Sequence, residues 1–368
     1  SVLRHAAAEP GSAGDIVIRR EGAAGLVTLD RPRQLNALTT AMRAHLTRAL
    51  PAFARDSEVY AVAIRSTGPK AFCAGGDIRE IASWGRHRPV EARRSLREEY
   101  ALNWLHECFS KPTVSLIDGP VMGSGVGITI YGTHRVAGER YAFAMPETAI
   151  GLFPDDGVAS VLARLPDEIG MYLGLTGRTI GRADAFQLGL ATCCVPAVRF
   201  AEIAAGLAAA EPVDNLIESR REDPGPGTLP AYREAIARCF AGPAVEDILT
   251  RLRSERGPER PWAEGVLADL AKRSPTSLKM THRHIRTAKA LDLRQTLMVD
   301  YRLACRCLDR PDFYEGVRAG LIDRDQNPCW RPARLADVSA AMIEDYFAPM
   351  PGAELVLPTR QEMQAMRV

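Results

Sequence analysis

The sequence predicts an α/β fold whose strands and helices alternate up to about Gly157 and whose remainder is helical. Two observations carry this. Short β-branched runs come in pairs before each helical stretch, separated by glycine-rich corners. Beyond Gly157 the apolar spacing becomes that of helices, and past Pro230 it stays so to about Asp309.

Taken in order, Asp15–Ile18 and Gly25–Leu29 flank Glu21-Gly22-Ala23-Ala24 and read as a hairpin. Pro32 ends the second strand. Thr39 or Thr40 then caps a helix whose stripe is Leu38, Met42, Leu46, Leu50 and Phe53. Val59–Ile64 is a strand leading to the corner Gly75-Gly76, with a helix starting near Asp77. Residues 86–111 form a charged amphipathic helix stopped by Lys111-Pro112. Val114–Ile117 is a buried strand before Gly123-Ser124-Gly125, where another helix opens. Arg135–Ala137 and Tyr141–Phe143 read as a small pair around Gly138-Glu139. Helices follow at Glu168–Leu175, Ala183–Leu190 and Phe200–Ala210. The segment Glu211–Pro230, with Pro212, Pro224, Pro226 and Pro230, reads as a linker. The expected division is a flexible tail over 1–14, a core over 15–212 and a helical region over 213–368.

Composition excludes several classes of function. With 47 basic and 45 acidic residues the net charge is +2, so no whole-chain field favours nucleic acid, and an anionic ligand must be captured locally. No apolar run approaches the roughly 20 residues that span a bilayer. The polar Ala/Gly/Ser-rich start has no apolar signal core, which points to a cytoplasmic enzyme. The 8 cysteines include no C-x-x-C pair and read as reduced, mostly buried thiols. There is no H-E-x-x-H, and His282 and His284 lie two apart on a helix, facing different ways. No metal site is expected.

What remains is backbone and carboxylates. The corners at Gly75-Gly76 and Gly123-Ser124 each open a helix and can offer free N–H groups to a phosphate or an oxyanion, although tight packing at a strand–helix corner is the favoured reading of either one alone. The second corner is neither G-x-G-x-x-G, since Ile128 stands last, nor G-x-S-x-G, since Met122 and Val126 flank where glycines belong. The stretch Tyr141–Gly157, YAFAMPETAIGLFPDDG, sets Glu147 and Asp155 among Phe143, Ile150, Leu152 and Phe153. A carboxylate beside apolar residues rises in pKa toward the range useful for proton transfer. Pro-Glu and Pro-Asp also suit helix starts.

Ala71–Ile78 (AFCAGGDI), Met122–Gly127 and Met145–Thr148 (MPET) together resemble the crotonase (enoyl-CoA hydratase/isomerase) superfamily. Arg97-Glu98-Glu99-Tyr100, Pro146–Asp155 (PETAIGLFPD), Ser274–Lys279 (SPTSLK) and Tyr301-Arg302-Leu303 are similar to its 3-hydroxyisobutyryl-CoA hydrolase family, a likeness that runs over nearly the whole chain. It implies a crotonase-like ββα spiral core with a helical C-terminal region, and an acyl-CoA thioester lying across the two glycine corners. It implies an oxyanion hole from the N–H groups of Gly76 and Ser124, catalytic roles for Glu147 and Asp155, and substrate contacts from Glu99, Gly75 and Gly123. The reaction implied is hydrolysis of a short β-hydroxyacyl-CoA, 3-hydroxyisobutyryl-CoA foremost, as in valine degradation. It needs no cofactor beyond the CoA of the substrate. A homo-oligomer is compatible with the family, and no nucleic-acid or membrane partner is implied.

Hydratases of the superfamily carry a further glutamate where this chain has Gly127, so hydration or isomerisation of an enoyl-CoA is the alternative, with CoA-ester binding without turnover a third reading. Where the family usually has Asp-Val-Gly-Gly, this chain has Asp155-Asp156-Gly157-Val158, and Ser124 stands where glycine is common. These departures bear on acyl specificity, Asp156 above all. Arg31, Arg33 and Lys70 flank the expected entrance for CoA, but each alone reads as solvated surface charge.

Overall fold

A computed structural model describes residues 14–368; nearly all of the expected tail over 1–14 lies outside the described residues. Two sheets organise the first half. The larger has strand order β1 (Ile16–Glu21), β2 (Ala24–Leu29), β3 (Ala61–Ser66), β4 (Thr113–Ile117), β6 (His134–Ala137) and β9 (Cys193–Cys194). Only β1 and β2 pair antiparallel within it; every later neighbour is parallel. The smaller sheet joins β5 (Pro120–Met122), β7 (Ala142–Ala144) and β8 (Ile180–Gly181). It is extended by single parallel bridges, Leu38 to Gly76 and Cys73 to Val121.

Each turn of the chain thus lays one strand in the large sheet, one short extended piece in the small sheet, and then a helix. The helices of successive turns are α1 (Thr40–Arg55), then α2 (Ile78–His87) with α3 (Pro89–Cys108), then the four-residue α4 (Ser124–Gly127), then α5 (Val158–Leu162). This is the expected ββα spiral. Its parallel register stacks the ends of the small-sheet pieces, so that the corner at Gly75-Gly76, the corner at Gly123-Ser124 and the turn at Glu147 become neighbours. Chain segments about 50 and 25 residues apart meet because the spiral advances one strand per turn.

Within the large sheet β2, β3 and β4 are buried on both faces, which is why they read as nearly continuous apolar runs, whereas the edge strand β1 is largely exposed. Val27, Leu29, Val62 and Ile64 face the main core; Leu26, Ala61, Ala63, Val114 and Leu116 face a second cluster closed by Ile203 and Leu207. Thr39 caps α1, accepting the Met42 N–H at 3.1 Å, and the predicted stripe is buried throughout.

Several expectations are corrected. β6 and β7 do not pair with each other, because each belongs to a different sheet. The helix expected over 86–111 is interrupted at Arg88, since Pro89 starts a fresh helix and disfavours a helical residue before it. The proline-rich linker contains a helix, α9 (Val213–Glu218), after α6 (Ile169–Thr176), α7 (Arg182–Gln187) and α8 (Phe200–Ala208). The two-residue strands β8 and β9 are too short for any periodicity to announce.

The helical region runs through α10 (Arg233–Phe240), α11 (Val245–Ser254), α12 (Arg260–Ala271), α13 (Pro275–Ala288), α14 (Leu293–Leu308) and α15 (Pro311–Val317) to α16 (Ala340–Phe347) and α17 (Arg360–Ala365). A single hydrophobic cluster joins it to the spiral, from Ile16 to Val368. Between α16 and α17 an irregular strap buries Leu355 and Leu357. Arg97 of α3 grips its carbonyls at Ala353 and Glu354, and Arg294 of α14 those at Leu357 and Pro358.

The two glycine corners touch through Gly125, where a Cβ would fall 2.6 Å from the Cys73 carbonyl oxygen and 2.9 Å from the Cys73 Cβ. Gly125→Ala is therefore expected to lower stability by about 1–3 kcal/mol by overpacking, read as a reduced denaturant midpoint at unchanged slope.

Candidate active site

The stacked corners form one end of a cavity of about 100 Å³, well below the roughly 300–1,000 Å³ of sites for drug-sized ligands. Its size suits a short acyl group. Gly75 (φ +116°) and Gly123 (φ +49°) hold backbone conformations that side chains rarely allow. A Cβ on Gly123 would stand 3.0 Å from Glu147 Oε1. Among the described residues the Gly76 and Ser124 N–H groups have no backbone acceptor; Ser124 opens a helix, where no intrahelical partner exists. Two free N–H groups on touching corners can receive a carbonyl oxygen as it gains negative charge.

Glu147 follows Pro146 in a short 3-10 turn, so the helix-start reading of Pro-Glu holds together with the site reading. The side chain is 6% exposed and Oε2 has no partner. Burial first, then the charge of Asp155, pushes its carboxyl well above the ordinary range. Asp155 opens on the same cavity and accepts the Tyr100 hydroxyl at 2.8 Å. Burial, then Glu99 and Asp300, raises it well above the ordinary range too, with the Tyr100 hydrogen bond opposing. The charge of Asp155 disfavours ionisation of Glu147, so a proton held on Asp155 makes Glu147 easier to ionise.

Glu99, on α3, takes the Ser124 hydroxyl on Oε1 at 2.5 Å, with Arg43 Nη1 3.6 Å from the same oxygen. The Ser124 side chain narrows the cleft beside Gly76, where a Cβ would meet its Oγ at 3.0 Å. Ile81, Leu96, Leu152, Ala304, Leu308 and Phe313 close the apolar wall, the last three from the C-terminal helices. All seven residues picked from the sequence, Glu147, Asp155, Gly76, Ser124, Glu99, Gly75 and Gly123, line this one cavity. Among the described residues no group of His, Cys, Asp and Glu is placed to hold a metal.

Two residues escaped the sequence reading. Arg43 is 2% exposed and donates to Leu38 O and Ser95 Oγ beneath the site. Its spacing to Leu46 and Leu50 put a charge on the apolar stripe of α1, and that was the available signal. Tyr100 sat beside Glu99 in the recognised segment without a role. Arg31 is tied to Asp77 at 2.9 Å, so it serves the local fold, while Arg33 and Lys70 are exposed.

Asp156 is fully buried, neither carboxylate oxygen has a partner, and it is absent from the cavity wall. The residue expected to select the acyl group faces away from it. A Cβ on Gly127 would stand 2.9 Å from both Cβ and Cγ of Asp156 and 2.7 Å from Asn103 Nδ2. Asp156 and Asn103 occupy the space a side chain at 127 would need.

The family model for enoyl-CoA hydratase/isomerase matches residues 24–347. The chain belongs to that family. Curated relatives within it include the 3-hydroxyisobutyryl-CoA hydrolase, mitochondrial, of Danio rerio, 40% identical over 353 residues that cover 93% of this chain and 92% of that protein. The 3-hydroxyisobutyryl-CoA hydrolase 1 of Arabidopsis thaliana is 36% identical, covering 98% and 99%. Among solved structures, one described as a carnitinyl-CoA dehydratase from Mycobacterium thermoresistibile superposes with a TM-score of 0.88 at 37% identity, covering 93% of this chain and 98% of that one. One described as an enoyl-CoA hydratase from Rhodobacter sphaeroides reaches 0.86 at 36%, covering 93% and 100%.

Burial, then repulsion from Asp155, raises the Asp156 carboxyl well above its ordinary value. A group that holds its proton more tightly when folded costs no stability below its unfolded pKa of about 3.9, and costs progressively more as pH rises from there toward the folded value. Asparagine keeps the shape, removes the titration and tolerates the φ of +57°. Asp156→Asn should raise stability at pH 7.5 by about 1–3 kcal/mol, read as a higher denaturant midpoint at unchanged slope, and leave the midpoint unchanged near pH 3.5.

Proposed function

We propose that this chain hydrolyses a short β-hydroxyacyl-CoA thioester, with 3-hydroxyisobutyryl-CoA the leading substrate, as the names of its curated relatives suggest. The observation that carries the choice of reaction is Gly127. The hydratases that the sequence resembles need a second glutamate there, and Asp156 and Asn103 leave that side chain no room. The descriptions of the two solved structures, a dehydratase and a hydratase, supply the rival reading.

In the proposed mechanism the thioester carbonyl lies between the Gly76 and Ser124 N–H groups, each donor contributing about 2.7–4 kcal/mol to the transition state. Ionised Glu147 either deprotonates a water that attacks the carbonyl carbon, or attacks it directly to give an anhydride that a water then hydrolyses to the free acid and the restored carboxylate. Protonated Asp155, its Oδ2 held by Tyr100, gives its proton to the departing CoA sulfur. Glu99, oriented by Ser124, accepts the hydroxyl of the acyl group. No cofactor takes part. The reading includes the cytoplasmic location expected from the sequence. For the described residues no helix is long and apolar enough to cross a membrane, while the relative from Danio rerio is named as mitochondrial.

Purified protein given 3-hydroxyisobutyryl-CoA and, separately, crotonyl-CoA should release thiol from the first and leave the enoyl absorbance of the second unchanged. Enoyl loss without thiol release would establish the hydratase reading instead. CoA-ester binding with neither signal would leave a binding protein. Glu147→Gln should lower thiol release by about 10²–10⁴-fold while CoA-ester binding, measured by calorimetry, persists.

A further inference from the structure

The turn Asp155-Asp156-Gly157 carries one non-glycine residue, Asp156, in the left-handed region. Asp156 and Gly157 have φ of +57° and +75°, a region that a non-glycine residue keeps only where its surroundings hold it there. Here the surroundings grip the peptide between them at both ends. The Tyr131 hydroxyl donates to the Asp156 carbonyl at 2.5 Å, and Asp300 Oδ2 accepts the Gly157 N–H at 2.6 Å. The second Asp300 oxygen lies 2.5 Å from His284 Nε2. Both side chains are fully buried, and His284 Nδ1 has no partner, which places the imidazole proton on Nε2, donated to Asp300. The Phe153 ring packs edge-on against that imidazole at 5.6 Å.

We propose that Asp300, oriented by His284, is a positioning residue for Asp155: by holding the 156–157 peptide it fixes the direction in which the preceding carboxyl enters the cavity. The link ties α13 and α14 of the helical region to a catalytic group of the spiral. It builds on the hydrolase reading, since its kinetic consequence is on the step Asp155 serves. The groups facing Asp155 are Glu99 and Tyr100 from α3, Tyr131, Glu147, Asp156, and Asp300 and Cys307 from α14. Of these, Glu99 and Asp300 act through negative charge that favours the protonated acid. Removing the Asp300 charge makes Asp155 release its proton at lower pH.

The test is Asp300→Asn, whose side chain can accept from Gly157 or meet His284 but cannot do both as the carboxylate does. The expected result is kcat lower by about 10²-fold, the scale of a misplaced catalytic group, with KM within about twofold and the alkaline limb of the rate profile moved to lower pH. His284→Leu should give the same pattern more weakly. His284→Gln, whose amide N–H can still donate to Asp300, should recover most of the loss; the His284 pair decides the matter if Asp300→Asn does not fold. A folded Asp300→Asn protein with unchanged kcat and alkaline limb overturns the proposal. Hydrogen exchange at the Gly157 amide is independent of turnover: protection should fall in Asp300→Asn, and unchanged protection also overturns it. If the unaltered protein releases no thiol, the hydrolase reading fails, and Gly157 exchange with an NMR titration of the Asp155 carboxyl still decides the positioning.

Discussion

The rest of the structure depends on the burial of carboxylates. Glu99, Glu147, Asp156 and Asp300 are buried and the half-buried Asp155 lies among them, with the guanidinium of Arg43 against Glu99. Ionising all of them together would set like charges against each other with little water to screen them. The fold answers in part. Some are given donors: Ser124 to Glu99, Tyr100 to Asp155, Gly157 and His284 to Asp300. The rest of the cost remains in the upward shifts of Glu147, Asp155 and Asp156, which favour a retained proton among them. In the proposed reaction that retained proton is the chemical resource, because a carboxylate and a carboxylic acid lining one cavity can serve as attacking group and acid.

Keeping water away requires the whole chain. The spiral supplies the corners and the carboxylates, but Ala304, Leu308 and Phe313 close the cavity from α14 and α15. Those helices are held in turn by the strap over 348–359, which Arg97 and Arg294 fasten to α3 and α14. The helical region is thus part of the dielectric environment that sets the pKa values. Loss of the strap would act on the chemistry through solvation although it contributes no catalytic atom.

Much of this was legible in the sequence. Glu147, Asp155 and the glycine corners stand in short segments whose residue order carries the resemblance, and the spiral then has to bring them together. Arg43 could have been noticed as a charge on an apolar stripe. The contact of Asp300 with Gly157 could not, since it joins positions 143 apart in sequence through a hydrogen bond with no local pattern. The pairing of β6 and β7 was misread for a related reason: neighbours in sequence usually pair, whereas this spiral assigns successive strands to different sheets. Asp156 shows the opposite limit. Its departure from the family pattern was plain, but its direction, away from the acyl cavity and into the space beside Gly127, was a property of backbone conformation and needed coordinates.

The central claim of the proposed mechanism is that Glu147 acts ionised while Asp155 still holds its proton when the thioester is cleaved. The pH dependence of kcat/KM for thiol release from 3-hydroxyisobutyryl-CoA tests it most directly. The account predicts a bell, with Glu147 required ionised on its acid side and Asp155 required protonated on its alkaline side. Its acid limb should stand clearly above the ordinary glutamate value of about 4.3. A rate that stays level down to pH 4.5, or one that climbs without an alkaline limb up to pH 9, would contradict it.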